Sequence, residues 1–175
     1  MKLIRHLETP RLIIRPFTQE DLELFIKFMI NKQVTKYLMF SDYQKTREGA
    51  VELFTMVMDS YDTDQPIHSY AIELKNDYFI GSCGFSLLKN TPLIIEVYYS
   101  LLPAYWKKGY ATEATNKLIE HCFHHLHVHE IDAYMHPDNP DSEGVALRVG
   151  MRYAGIKKHP IFQVDGKKYS ITFND

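Results

Sequence analysis

Lys107, Lys108 and Gly109 stand just ahead of a segment, opening near Thr112, whose apolar residues fall at helical spacing. The first turn of a helix exposes backbone N–H groups that carry a partial positive charge. Glycine has no Cβ, so backbone at Gly109 can come close to a bound group. The two lysines add charge and Thr112 adds a hydroxyl. Such a set suits a pyrophosphate. It also suits an ordinary surface loop, and the patterns GxxxxGK[ST] and GxGxxG are both missing.

Glu96 precedes this loop within the run Leu-Ile-Ile-Glu96-Val-Tyr-Tyr-Ser-Leu101. It reads either as a carboxylate on a solvated strand face or as a general base. Alternation puts Glu96, Tyr98 and Ser100 on one face and Val97, Tyr99 and Leu101 on the other. Five of the nine histidines crowd into residues 121–129. His121 and His125 at i, i+4 can chelate zinc. No HExxH accompanies them, so they read as a solvated helix end, favoured by the C-terminal dipole, and no metal is expected. Cys83 and Cys122 sit in apolar settings outside any CxxC pair, which suits buried free thiols in a reducing compartment.

The elements that must position these groups follow from periodicity. Residues 11–17 read as a strand, and Thr18 as the cap of a helix with Leu22, Phe25, Ile26 and Met29 on one stripe. A second helix opens near Thr46, with a break at 62–66. Strands at 69–74, 78–88 and 93–101 form an antiparallel meander, turned at Asn76-Asp77 and at Asn90-Thr91-Pro92. Gly81 and Gly84 hint at a bend or bulge. A loop over 103–111 leads to a helix over 112–125 and a strand over 130–135. Strand, helix, strand implies a right-handed crossover and parallel pairing. A short helix over 142–149 closes at Gly150, and strands at 152–157 and 168–173 flank a turn at Asp165-Gly166.

The fold class is therefore α/β: a single mixed, mostly antiparallel sheet with helices on both faces. The 175 residues suit one domain, 1–175. A formal net charge of −2 gives no bulk basic field for nucleic acid or an anionic membrane. No stretch approaches the ~20 apolar residues of a membrane span. Polar residues arrive too early for a signal peptide, so the expected compartment is the cytoplasm.

Three segments together resemble the GNAT superfamily of acyltransferases, in the branch that includes the ribosomal-protein N-terminal acetyltransferases. The segments are Glu8-Thr-Pro-Arg-Leu-Ile-Ile-Arg-Pro-Phe-Thr-Gln-Glu-Asp21, Tyr105-Trp-Lys-Lys-Gly-Tyr-Ala-Thr-Glu-Ala114, and His136-Pro-Asp-Asn-Pro-Asp-Ser142 with Val149-Gly-Met151. The resemblance covers nearly the whole chain and implies the GNAT (acyl-CoA N-acyltransferase) fold. It further implies acetyl transfer from acetyl-CoA to a protein N-terminus or small amine, by direct transfer in a ternary complex.

Carried over residue by residue, the resemblance puts the pyrophosphate on Lys107, Lys108, Gly109, Tyr110, Ala111 and Thr112. The pantetheine arm would lie along Tyr99, Ser100 and Leu101. Asn139 would contact that arm, and Ser142 would stand near the thioester sulfur. Glu96 and Ser142 are the expected catalytic pair. The implied partners are acetyl-CoA and an amine, with no nucleic acid, membrane or metal, in a monomer or homodimer. Two departures stand out: Tyr98 replaces a Gly common among relatives and could narrow the acceptor side, and Ala146 stands where other branches carry a tyrosine acid. They motivate an alternative, a sensor of the same fold that binds acyl-CoA without turnover.

Overall fold

The computed structural model describes residues 1–76, 78–88 and 93–173. The expected turns at Asn76-Asp77 and Asn90-Thr91-Pro92 include positions outside the described residues. Among the described residues, eight strands form one sheet: β1 (Leu7–Glu8), β2 (Leu12–Arg15), β3 (Ser69–Leu74), β4 (Tyr78–Leu87), β5 (Ile94–Leu101), β6 (Glu130–Met135), β7 (Arg152–Lys158) and β8 (Asp165–Thr172). Their order is β1-β2-β3-β4-β5-β6-β8-β7. Among the described strands only β5 and β6 pair in parallel, joined by the crossover helix α4 (Tyr110–Leu126).

Alternation along the strands divides the side chains between two cores. One lies under α4 and α5 (Pro140–Arg148), where Leu118, Cys122 and Ala146 meet Ile95, Val97, Leu101 and Ile131. The other lies under α1 (Leu22–Met29) and α3 (Arg47–Ser60), where Phe25, Ile26 and Phe54 meet Phe17, Ala71 and Phe79. Helices thus cover both faces. Cys83 and Cys122 are buried in the first core as free thiols, and burial pushes both upward, Cys122 to about 12.

Several boundaries move. Helix α4 begins at Tyr110, because Gly109 caps it from the left-handed region at φ +81°. Helix α5 begins at Pro140, because the Asn139 side chain caps it by accepting from Ser142 N–H at 3.2 Å. Asp165 and Gly166 do not form the last turn: they open β8, and the connection is the longer loop 159–164. Thr18 precedes a 3₁₀ turn over Gln19–Asp21 before α1. The register breaks between Ile72 and Glu73, which pair with Gly81 and Phe79, so the irregularity falls beside Gly81. Strand β1 and the short α2 (Lys32–Thr35) are additions that no sequence period announced.

Candidate active site

Strands β5 and β6 pair only through Ile94↔Glu130, Ile95↔Ile131 and Glu96↔Asp132. Beyond Glu96 they part: β5 continues against β4, while β6 continues against β8. Being parallel, they diverge at their C-terminal ends, where α4 follows one strand and α5 the other. Leu88 N–H bonds the Ile94 carbonyl at 3.2 Å and Leu102 N–H bonds the Ile80 carbonyl at 2.8 Å, which sets the phase of the β4–β5 ladder. Bonding alternates along an antiparallel pair. Val97, Tyr99 and Leu101 therefore turn their backbone groups away from β4, into the fork. Ser100 differs from its neighbours: its backbone belongs to the β4 ladder and its side chain shares a face with Glu96. The Leu101 carbonyl accepts the Trp106 indole N–H at 2.6 Å, which ties the following loop to the fork.

That loop is held on both sides. Lys107 and Gly109 both adopt positive φ, at 58° and 81°. A Cβ built on Gly109 would meet only the Arg11 guanidinium, at 3.3 Å. Backbone here is open to a close approach, and the first-turn amides of Tyr110, Ala111 and Thr112 head α4 beside it. Glu113, one residue further, accepts from Thr9 Oγ1 at 2.6 Å, Arg11 N–H at 3.0 Å and Arg11 Nε at 2.6 Å. Burial pushes the Glu113 carboxyl up, but these bonds and the Arg11 charge outweigh it and hold the group below the usual carboxylate range. Arg11 also donates to the Lys108 carbonyl at 3.0 Å and covers the Tyr110 ring at 4.4 Å. From the other side, Arg148 Nε donates to Thr112 Oγ1 at 3.2 Å.

Across the fork, Tyr99 Oη donates to the Ser142 carbonyl at 2.9 Å, and Ser142 Oγ donates to Tyr99 Oη at 3.2 Å. The C-terminal end of β5 and the first turn of α5 thus share one hydroxyl pair. Burial pushes the Tyr99 phenol up to about 12, so it stays protonated at neutral pH. Ala146 is fully buried in the core.

Glu96 stands at the point of divergence, on the face away from α4. Its carboxylate meets His159 Nε2 at 2.8 Å. Burial pushes the Glu96 carboxyl above its ordinary value, and His159 partly offsets that rise. Tyr98, on the same face, lays its ring over Gly84, with its hydroxyl 3.4 Å from the His68 carbonyl. His121 and His125 have ring centroids 4.8 Å apart. Among the described residues no group of three or more His, Cys, Asp or Glu is arranged to hold a metal ion.

The fork therefore gathers Glu96, Tyr99, Leu101, Gly109, Thr112, Asn139 and Ser142, while Lys107 and Lys108 are exposed on the loop beside it, the Lys108 ammonium 5.6 Å from the Tyr105 ring centroid. Sequence reasoning missed Arg11, Arg148 and His159. Arg11 and His159 reach the site from distant segments and Arg148 from the last position of α5, and only Arg11 lay within a motif already singled out.

The chain matches the family described as acetyltransferase (GNAT) domain over residues 11–152. It is 28% identical over 171 residues to the uncharacterized N-acetyltransferase YoaA of Bacillus subtilis, covering 95% of this chain and 96% of that one. A putative ribosomal-protein-serine acetyltransferase from Vibrio cholerae shares the fold at TM-score 0.81 and 18% identity, covering 98% and 99% of the two chains. So does a spermidine N-acetyltransferase from Vibrio cholerae, solved with CoA and spermine, at TM-score 0.76 and 18% identity over 95% and 98%. With a family match spanning most of its length, this chain belongs to the GNAT acetyltransferases, enzymes that draw an acyl group from acyl-CoA.

Proposed function

We propose that this protein binds acetyl-CoA in the fork between β5 and β6 and transfers its acetyl group directly to an amine held on the Glu96 face. The observation that carries this reading is the parting of the two strands one residue past Glu96, with the Tyr99 and Leu101 backbone turned into the gap. Backbone groups that face a gap need partners. An extended amide-bearing arm supplies them in the manner of an added strand. The open approach at Gly109 and the first-turn amides of α4, with Lys107, Lys108 and Thr112 around them, suit the pyrophosphate. Asn139 and Ser142 border the arm and the leaving sulfur. An N–H of Tyr99 or Leu101 is the donor for the developing oxyanion.

Acetyl-CoA supplies the thioester; the protein supplies position and a proton acceptor. Holding two reactants in register contributes about 7–11 kcal/mol. The amine arrives mostly protonated, since alkyl amines titrate near ~10 and α-amines near ~8. Glu96 takes one proton, directly or through a water, and the freed nitrogen attacks the carbonyl carbon. The C–N bond forms, the C–S bond breaks, and the thiolate departs beside Ser142, taking up the second proton that the nitrogen sheds as the amide forms. The acceptor is a protein N-terminus or a small amine; the names of the Vibrio neighbours carry a ribosomal-protein serine and spermidine.

The test is thiol release from acetyl-CoA against a panel of small amines and N-terminal peptides, with the wild type and Glu96→Gln. Turnover should appear with at least one acceptor. Glu96→Gln should cut kcat/KM by about 10²–10⁴-fold at neutral pH. The deficit should shrink at high pH, where the amine loses its proton unaided, and acetyl-CoA affinity should hold. Binding without turnover on any acceptor would identify a sensor instead. Normal turnover of Glu96→Gln at every pH would remove Glu96 from the chemistry.

A further inference from the structure

His159 is 1% exposed, yet it belongs to the connection between the two strands at the edge of the sheet. That loop turns inward at this residue alone. Ile161, Phe162 and Val164, just beyond it, are about half exposed. The loop is closely tied around His159. Its N–H bonds the Val164 carbonyl at 2.7 Å, and its carbonyl accepts from Gln163 N–H at 2.9 Å. The Gln163 side chain closes the turn with bonds of 3.3 Å to the His159 carbonyl and 2.8 Å to the Pro160 carbonyl. The imidazole is wedged between the Tyr134 and Phe162 rings, with centroids 4.8 and 4.7 Å away.

The hydrogen bonds assign its tautomer. Ile161 N–H and Phe162 N–H both point at Nδ1, each at 3.1 Å. Backbone N–H groups only donate, so Nδ1 must accept and cannot carry the proton. The proton is on Nε2, which faces the Glu96 carboxylate at 2.8 Å. A neutral imidazole fixed this way is a one-way donor. It cannot take a proton from Glu96 and pass it on, because its second nitrogen is closed by two amides.

We propose that His159 is a positioning residue for the acetyl transfer: the loop 159–164 locks its imidazole as an Nε2–H donor that aims Glu96 at the amine, without relaying the proton. The inference rests on the reading of Glu96 as the base. It makes this loop, rather than β5 alone, part of the catalytic apparatus. The amine proton ends on the Glu96 carboxylate, and His159 retains its own proton throughout. The other charged groups facing Glu96 come from the neighbouring strands. Asp132 is its register partner on β6, Tyr134 follows it, and Lys168 on β8 neutralises Asp132 at 2.9 Å.

A pair of substitutions separates positioning from loop support. His159→Asn retains an acceptor near the Nδ1 position for the two amides and loses the donor to Glu96. His159→Gln retains an N–H near the Nε2 position and loses the acceptor. If His159 positions Glu96, His159→Asn should lower kcat/KM at neutral pH about tenfold, the equivalent of one charge-assisted hydrogen bond. It should also move the acid limb of the pH profile upward, because the carboxylate loses a bond to its charged form. His159→Gln should keep activity and profile near wild type while melting at a lower temperature. In a Glu96→Gln background, His159→Asn should add no further loss. Wild-type kcat/KM and pH profile in His159→Asn, with a defect in His159→Gln alone, would mean that the histidine only supports the loop. A deficient Glu96→Gln beside two active His159 variants would overturn this inference and leave the base reading standing. A silent Glu96→Gln would overturn both. Circular dichroism and acetyl-CoA affinity, measured on every variant, show whether a loss reflects unfolding.

Discussion

At the scale of single residues, Asn139 and Ser142 illustrate how one side chain serves two purposes. Asn139 Oδ1 caps α5 through Ser142 N–H, and Ser142 Oγ meets the Tyr99 hydroxyl. Asn139→Ala should therefore cost about 1 kcal/mol of stability through the lost cap. It should also weaken acetyl-CoA binding, which calorimetry at a temperature well below melting resolves from the loss of stability. Ser142→Ala keeps the backbone that accepts the Tyr99 bond, so α5 should stay in place. Its effect should fall on kcat more than on KM for acetyl-CoA, the signature of a group that acts on the departing thiolate. Equal and negligible effects from the two would mean that α5 does not border the reacting bond.

At the scale of elements, the N-terminal strand and the loop before α4 form one unit. Glu8–Asp21 and Tyr105–Ala114 stood out in the sequence as separate motifs. The structure joins them through Thr9 and Arg11 to Glu113 and through Arg11 to the Lys108 carbonyl. Loop closure is thus completed by residues about a hundred positions away. Gly109→Val should abolish acetyl-CoA binding in a folded protein, since a β-branched residue at φ +81° is strained and blocks the approach. Glu113→Ala removes the latch without touching the loop backbone. It should raise the acetyl-CoA Kd about tenfold, the cost of ordering one loop residue on binding. Unchanged calorimetric affinity in both variants would detach this loop from the cofactor.

At the scale of the molecule, the remaining motif residues prove architectural. Arg15 on β2 bonds Asp21 at 2.7 and 3.0 Å, ahead of α1, and Glu73 on β3 at 2.5 and 2.8 Å. Asp21 and Glu73 are both buried, so the guanidinium neutralises two carboxylates largely withdrawn from water. It fastens the α1 side of the sheet to the strands that lead into the fork. Removing one partner of such a cluster leaves uncompensated buried charge. Arg15→Met should lower stability by about 3–5 kcal/mol, seen as a fall of about 10 °C in the melting midpoint. A midpoint within ~2 °C of wild type would show that the cluster is held by solvent after all.

What the sequence determined by itself was local or periodic. Alternation fixed which face of β5 carries Glu96, helical spacing located α3 and α4, and the motif residues named the loop and Asn139, though not that it caps α5. Those signals need only neighbours a few positions apart. The parting of β5 from β6 left no mark of that kind, because it depends on where two strands separated by a helix stop pairing. The assignment of Tyr99 and Leu101, but not Ser100, to the gap follows from the phase of the ladder with β4, which no single strand encodes. His159 was invisible for the same reason: in the chain it is one polar residue beside a proline, 63 positions from Glu96. Only the packing of the loop 159–164 against the end of β6 closes that distance, and with it decides which nitrogen of the ring carries the proton.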